Sequence, residues 1–197
     1  MRKAVAAALL VLASLAGNAQ ANVLNGCGLK IDAFGPDLFK TFEGRWTMRY
    51  GPGEMSSRIG NQIMMLPLSQ GASQTLAILS EDGALTMHFA TLGEHRLTVL
   101  EGGARLAGLP AAVAGRDDLP QGATVLIDEA ALGRPPSCVP SDMLAVGFDS
   151  DVPSATGQPQ SQRMELYIVD ESHMSGILHI EESDGNFSHR LVTFSKG

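Results

Sequence analysis

Positive charge, aromatic side chains and cysteine are all scarce in this chain of 197 residues, and each scarcity removes a class of function. Lys and Arg number 14 against 21 Asp and Glu, a formal net charge of −7. A phosphate backbone is held by clustered cations that displace its counterions, so nucleic acid is set aside as a partner. The same sign disfavours docking on anionic lipid head groups. Aromatics make up 5% of the chain, with Trp46 the single tryptophan. The sequence has no Gly-x-Ser-x-Gly elbow, no phosphate-binding glycine loop and no His-x-His or His-Glu-x-x-His spacing. No catalytic residue and no cofactor is therefore expected. After the first residues, no apolar run approaches the roughly 20 residues that span a bilayer.

What is present begins at the N-terminus. Met1-Arg2-Lys3, the apolar run from Ala4 to Ala16, and Asn18-Ala19-Gln20-Ala21 have the layout of a secretory signal peptide cleaved after Ala21. The leader is short and rich in Ala and Leu, as in bacteria, so a periplasmic location in a Gram-negative cell, or an extracellular one, is expected. Removing Arg2 and Lys3 from the 14 Lys and Arg leaves 12 against 21 acids in the mature chain. The expected organisation is a leader over 1–21, an N-terminal segment over 22–38 and a single domain over 39–197. Two cysteines in an oxidising compartment read as a pair, Cys27 with Cys138, tethering that segment to a later proline-rich loop, Arg134 to Asp142. Closing so long a loop is worth roughly 4 to 5 kcal/mol in the chain-entropy model. The competing reading is acylation at Cys27, since Leu24-Asn25-Gly26-Cys27 loosely follows a lipobox. It fits less well because Asn25 is a poor residue before the glycine and the apolar run ends well upstream.

From Phe39 onward, short alternating runs are separated by glycine-rich or polar turns, the pattern of antiparallel β structure. The runs are Gly44–Tyr50, Ser57–Leu66, Thr75–Leu79, Ala84–Thr91, His95–Glu101, Ala123–Ile127, Met143–Phe148, Arg163–Val169, Ser175–Glu181 and Phe187–Ser195. This predicts an all-β fold, an antiparallel meander closed into a barrel of about 8–10 strands, with a β-sandwich as the alternative. Glu81-Asp82-Gly83 and Ser183-Asp184-Gly185 supply the hairpin turns. Met164, Leu166 and Ile168 alternate with Arg163, Glu165 and Tyr167, so this strand should have one apolar and one wet face. Three long irregular segments interrupt the meander: Gly108 to Gly122, the proline-rich loop around Cys138, and a polar, solvated loop from Asp149 to Ser161. A short helical turn is expected at Asp128 to Leu132, ended by Gly133.

The segment Phe42-Glu43-Gly44-Arg45-Trp46 at the start of this meander resembles the F-x-G-x-W first strand of lipocalins and of the broader calycin-like β-barrels. The resemblance implies that Gly44 permits a close chain approach and that Trp46 closes the narrow barrel end. It also implies that a cation from a late strand packs across the indole, and Arg190 in Phe187-Ser188-His189-Arg190 is the candidate. These three are structural roles. The threonine-aspartate-tyrosine motif of that group has no counterpart here.

A closed barrel of this size can enclose one small ligand. The leading expectation is an exported binding protein of the cell envelope for an apolar or amphipathic molecule, held by Met48, Tyr50, Leu85, Met87 and Phe89. If those side chains fill a solid core instead, the protein is a structural or interaction module, with a protein partner. A periplasmic metal-binding protein is the third alternative, resting on five histidines and the methionines. Its weakness is that neighbours such as Met87 and His88 point to opposite faces of a strand, and no metal ligand is assigned.

Overall fold

The computed structural model describes residues 24–25, 28–29, 36–132, 143–154 and 157–197. The leader, Cys27 and Cys138 with their expected pairing, and the proline-rich loop lie outside the described residues. In chain order the elements are β1 (Leu24–Asn25), β2 (Gly28–Leu29), α1 (Pro36–Phe42), β3 (Gly44–Ile59), β4 (Gln62–Leu68), β5 (Ser73–Glu81), β6 (Ala84–Phe89), β7 (Gly93–Arg96) and β8 (Thr98–Val99). There follow β9 (Leu109–Pro110), β10 (Thr124–Val125), α2 (Glu129–Leu132), β11 (Ala145–Pro153), β12 (Pro159–Asp170), β13 (His173–Glu182) and β14 (Phe187–Lys196).

Ten of the strands form one antiparallel sheet in the order β7-β6-β5-β3-β14-β13-β12-β11-β8, with β4 paired to the far half of β3. The two ends of this order are neighbours in sequence. Only Leu97 separates β7 from β8, so the segment from Gly93 to Val99 pairs with β6 through its first half and with β11 through Val99↔Val146 and Thr98↔Gly147. The sheet is thereby nearly closed into a barrel. The chain runs up and down around it, and the last strand returns beside the first, from Ser188↔Met55 to Lys196↔Trp46.

Local chemistry explains the hairpins. Asp82 (φ 48°) and Gly83 (φ 73°) both occupy the left-handed region, as a two-residue turn between paired strands requires. The expected run from Ser57 to Leu66 is not one strand: it folds back at Gly60-Asn61, pairing Ile59 with Gln62 and Ser57 with Met64. The loop expected from Asp149 to Ser161 is shorter than its polarity suggested, because β11 and β12 stay paired as far as Pro153↔Pro159. Cross-strand bonding there costs nothing in burial, so polar composition did not prevent strand formation. Thr124–Val125 pairs only with Leu109–Pro110, off the barrel. The helical turn does form: Asp128 caps α2 through an Oδ1 that accepts from the Ala131 N–H at 3.1 Å.

Two layers of apolar packing result. Inside the barrel, Trp46, Met48, Leu76, Ile78, Leu85 and Met87 meet Leu144, Val146, Met164, Leu166, Met174 and Phe194, all buried, and α1 adds Phe39 and Phe42 at one end. Outside it, the insertion after β8 lies over the wall. Leu109, Ala111 and Val125 pack on Ile177 and Leu191, while Ile127 packs with Met143, Ala145 and Tyr167. The face of β12 expected to be wet is consequently buried at Glu165 and Tyr167, which are 4% and 1% exposed. The Glu165 carboxylate accepts from the backbone N–H groups of Arg105 and Leu106, and Tyr167 Oη accepts from the Ala104 N–H at 3.3 Å. These bonds satisfy the covered polar groups and hold the insertion in place.

Candidate functional site

The end of the barrel that receives α1 is closed. Trp46 is fully buried, stacks on Phe42 with ring centroids 6.3 Å apart, and donates its indole N–H to the Phe42 carbonyl at 2.7 Å. Gly44, at φ 133°, turns the chain from α1 into β3 in a conformation that strains any residue with a Cβ. Arg190 does not pack on the indole. It lies opposite Gly53, whereas the residue opposite Trp46 is Lys196, six positions further along β14. The Arg190 guanidinium instead sits 5.0 Å from the ring centroid of Tyr50 and donates to the carbonyls of Gly51 (2.9 Å) and Ser69 (2.8 Å). The cation–π contact expected at the closed end is thus made toward the opposite end.

That opposite end carries a polar layer. Tyr50 Oη accepts from Gln74 Nε2 at 2.9 Å, and Gln74 Oε1 accepts from the Thr91 hydroxyl at 3.0 Å. Burial pushes the Tyr50 phenol above its ordinary pKa, with Arg190 opposing. Across the interior, His95 stacks on Phe148 at 4.0 Å and meets the edge of Phe89 at 5.9 Å. Its Nε2 lies 2.7 Å from the Leu92 carbonyl and its Nδ1 3.1 Å from Ser150 Oγ. A carbonyl only accepts, so in the neutral ring Nε2 carries the proton and Nδ1 takes the serine hydroxyl. Ser150 pairs across the strands with Gln162, and Gln162 with Ile180. Gln162 is 1% exposed, and its Oε1 has no hydrogen-bond partner among the described residues.

The five residues expected to hold a ligand come together. Met48, Leu85, Met87 and Phe89 are buried in the inner cluster, and Tyr50 packs its ring against it with its hydroxyl in the polar layer. A cavity of about 620 Å³ lies elsewhere, outside the barrel wall, lined by Arg49, Leu68, Arg116, Glu129 and Leu191 among others and by none of the five. Sequence reading missed Gln74, Ser150 and Gln162, and counted His95 only among the five histidines of the metal-binding alternative. The signal was available for Gln162, which holds the apolar phase of Met164, Leu166 and Ile168 two residues before it.

A second group of polar residues crosses the outer wall, where Asp149, Arg163, His179, His189 and Glu54 occupy successive cross-strand positions on β11, β12, β13, β14 and β3. Both histidines titrate below the ordinary imidazole value. For His179 burial is the main cause, with Glu181 opposing and Arg163 adding to it; for His189 burial leads, His179 adds to it, and a bond to the Ala107 backbone opposes. The unfolded chain then binds protons first as pH falls, so the contribution is complete above about pH 6.5 and drains away toward the lower native values. The melting temperature should fall between pH 7.5 and 5.5, and the double variant His179→Gln, His189→Gln should flatten that fall. An unchanged slope in the double variant would place the pH sensitivity elsewhere.

The class defined by these features is a nearly closed antiparallel β-barrel with one plugged end and one polar end, and no helix among the described residues is long and apolar enough to cross a membrane. No protein-family model, curated protein or solved structure matches the chain.

Proposed function

We propose that the protein is an exported, lipocalin-like carrier of the cell envelope that takes one amphipathic small molecule at the polar end of its barrel. The observation that carries this reading is Gln162, whose amide oxygen is buried and unpartnered at the boundary between the polar layer and the apolar interior. An unmade buried hydrogen bond costs about 1–3 kcal/mol, and a donor on the ligand would recover it. The apolar part of the ligand enters among Phe89, Met48 and Met87. Methionine suits that task because its unbranched side chain repacks easily, and Met48, Met87, Met164 and Met174 all lie in the inner cluster. Export through the leader and a Cys27–Cys138 disulfide belong to the same reading.

An environment-sensitive apolar dye should bind with one-to-one stoichiometry and be displaced by fatty acids, and more readily by long-chain amides and alcohols than by the matching methyl esters, which have no donor. Gln162→Leu should weaken amide binding about fivefold, the equivalent of one hydrogen bond, and raise thermal stability by removing the unpartnered oxygen. A second reading, an interaction module, is favoured by the β3–β4 hairpin, where Ile59 on β3 and Ile63, Met64 and Met65 on β4 are 63%, 61%, 45% and 47% exposed, and β4 pairs with no strand but β3 among the described residues. Dye binding that is lost in Met65→Lys and indifferent to Gln162→Leu would sink the interior site in favour of the hairpin.

A further inference from the structure

On the outer wall, three side chains from three adjacent strands converge. His88 lies directly across from Glu94 on β7, and Glu81 reaches it from the last position of β5. One imidazole nitrogen and one carboxylate oxygen from each glutamate lie within 4.8 Å of one another. His88 Nε2 is 3.5 Å from Glu81 Oε1, and Nδ1 is 3.6 Å from Glu94 Oε2. Charge-assisted hydrogen bonds between such groups run to about 2.7–2.9 Å, so neither contact is one. Two ligands on a tetrahedral zinc, with bonds of about 2.0–2.2 Å, lie roughly 3.4 Å apart. The Nε2–Glu81 spacing is that of two groups sharing a cation, and Glu94 approaches the same ring from its Nδ1 side. His88 Nε2 is also a buried nitrogen without a hydrogen-bond partner among the described residues, 3.5 Å from Glu81.

We infer that Glu81, His88 and Glu94 form a binding site for a divalent first-row transition metal on the outer face of the barrel, with one imidazole nitrogen of His88 and one oxygen of each glutamate as ligands. Imidazole in the set favours Zn²⁺, Cu²⁺ or Ni²⁺ over Mg²⁺ and Ca²⁺, which take oxygen. Three protein ligands leave a coordination position for water. The glutamates are the adjustable part: their side chains are 44% and 64% exposed, against 31% for His88, so small rotations bring the oxygens to bonding distance. The site also has a mechanical consequence. Glu94 stands on β7, the segment that closes the barrel, so a bound ion ties that segment to β5 and β6. The strand alternation that separates His88 from Met87 excludes a His–Met copper pair and leaves this outward trio intact.

The test is calorimetric titration of the untagged protein with Zn²⁺, alongside Mg²⁺. Saturable one-to-one Zn²⁺ binding is expected, with a rise in melting temperature and no competition from Mg²⁺ at equal concentration. His88→Gln should weaken it at least about tenfold, and the near-isosteric Glu81→Gln and Glu94→Gln, both at exposed positions that tolerate the change, should each weaken it as well. Gln162→Leu should leave it unchanged, which separates this site from the interior one. No saturable Zn²⁺ binding, or binding that survives His88→Gln undiminished, would show the trio to be an imidazole between two carboxylates and nothing more.

Discussion

Replacing Trp46 with alanine should remove a large part of the stability of the fold. The indole is wholly buried, it stacks on Phe42, and its N–H satisfies the Phe42 carbonyl where α1 gives way to β3. Truncating a buried aromatic typically costs about 3–5 kcal/mol, and the abandoned carbonyl adds to that. A domain of this size has about 5–15 kcal/mol in total, so the variant should unfold at a much lower urea concentration or fail to accumulate. Circular dichroism is the appropriate probe, because Trp46 is the only tryptophan and its fluorescence disappears with it. Trp46→Phe should retain part of the loss, keeping the packing without the N–H donor. A Trp46→Ala protein within about 1 kcal/mol of the parent would mean that α1 does not plug the barrel.

Met87→Arg should be as damaging, for a different reason. Met87 is fully buried in the inner cluster on β6, and its strand neighbours Leu85 and Phe89 are buried with it. An arginine there has no partner, and an unpaired charge in such surroundings costs several kcal/mol. The expected result is loss of soluble folded protein, while Met87→Leu, which conserves volume, should cost less than about 1.5 kcal/mol. The pair of variants also reports on the interior. A folded Met87→Arg protein with a near-parental melting temperature would require water beside Met87, and hence an open cavity where the cluster now packs.

The inner wall was legible because its signal is local. Met164, Leu166 and Ile168 announce their face by alternation alone, and so do Leu85, Met87 and Phe89. The outer wall was not legible, since Glu165 and Tyr167 are covered by a segment some 60 residues earlier in the chain, and polarity at a single position cannot reveal a remote cover. Arg190 was assigned to the wrong end of β3 because nothing in Phe187 to Phe194 marks the register shift between Arg190 and Val192 or fixes which pair of residues stands opposite. The trio of Glu81, His88 and Glu94 was half visible: the Asp82-Gly83 turn sets Glu81 against Ala84, but the pairing of His88 with Glu94 depends on the longer turn after Phe89. Gln162 illustrates the opposite failure, a residue whose apolar phase with Met164 and Leu166 pointed inward but whose polar side chain hid the signal.

The two seams of the barrel are unequal, and that inequality fixes where it yields. One joins β3 to β14 along most of their length, while the other joins β8 to β11 through two residue pairs, reinforced from within by the ring of His95 lying on Phe148. Thermal fluctuation breaks the shorter line of hydrogen bonds first, so the molecule behaves like a book bound along β3 and β14 and latched at Thr98 and Val99. If the barrel carries a ligand as proposed, such a latch would give it a sideways route to the interior that leaves the plug at Trp46 and the bonds around Tyr50 undisturbed.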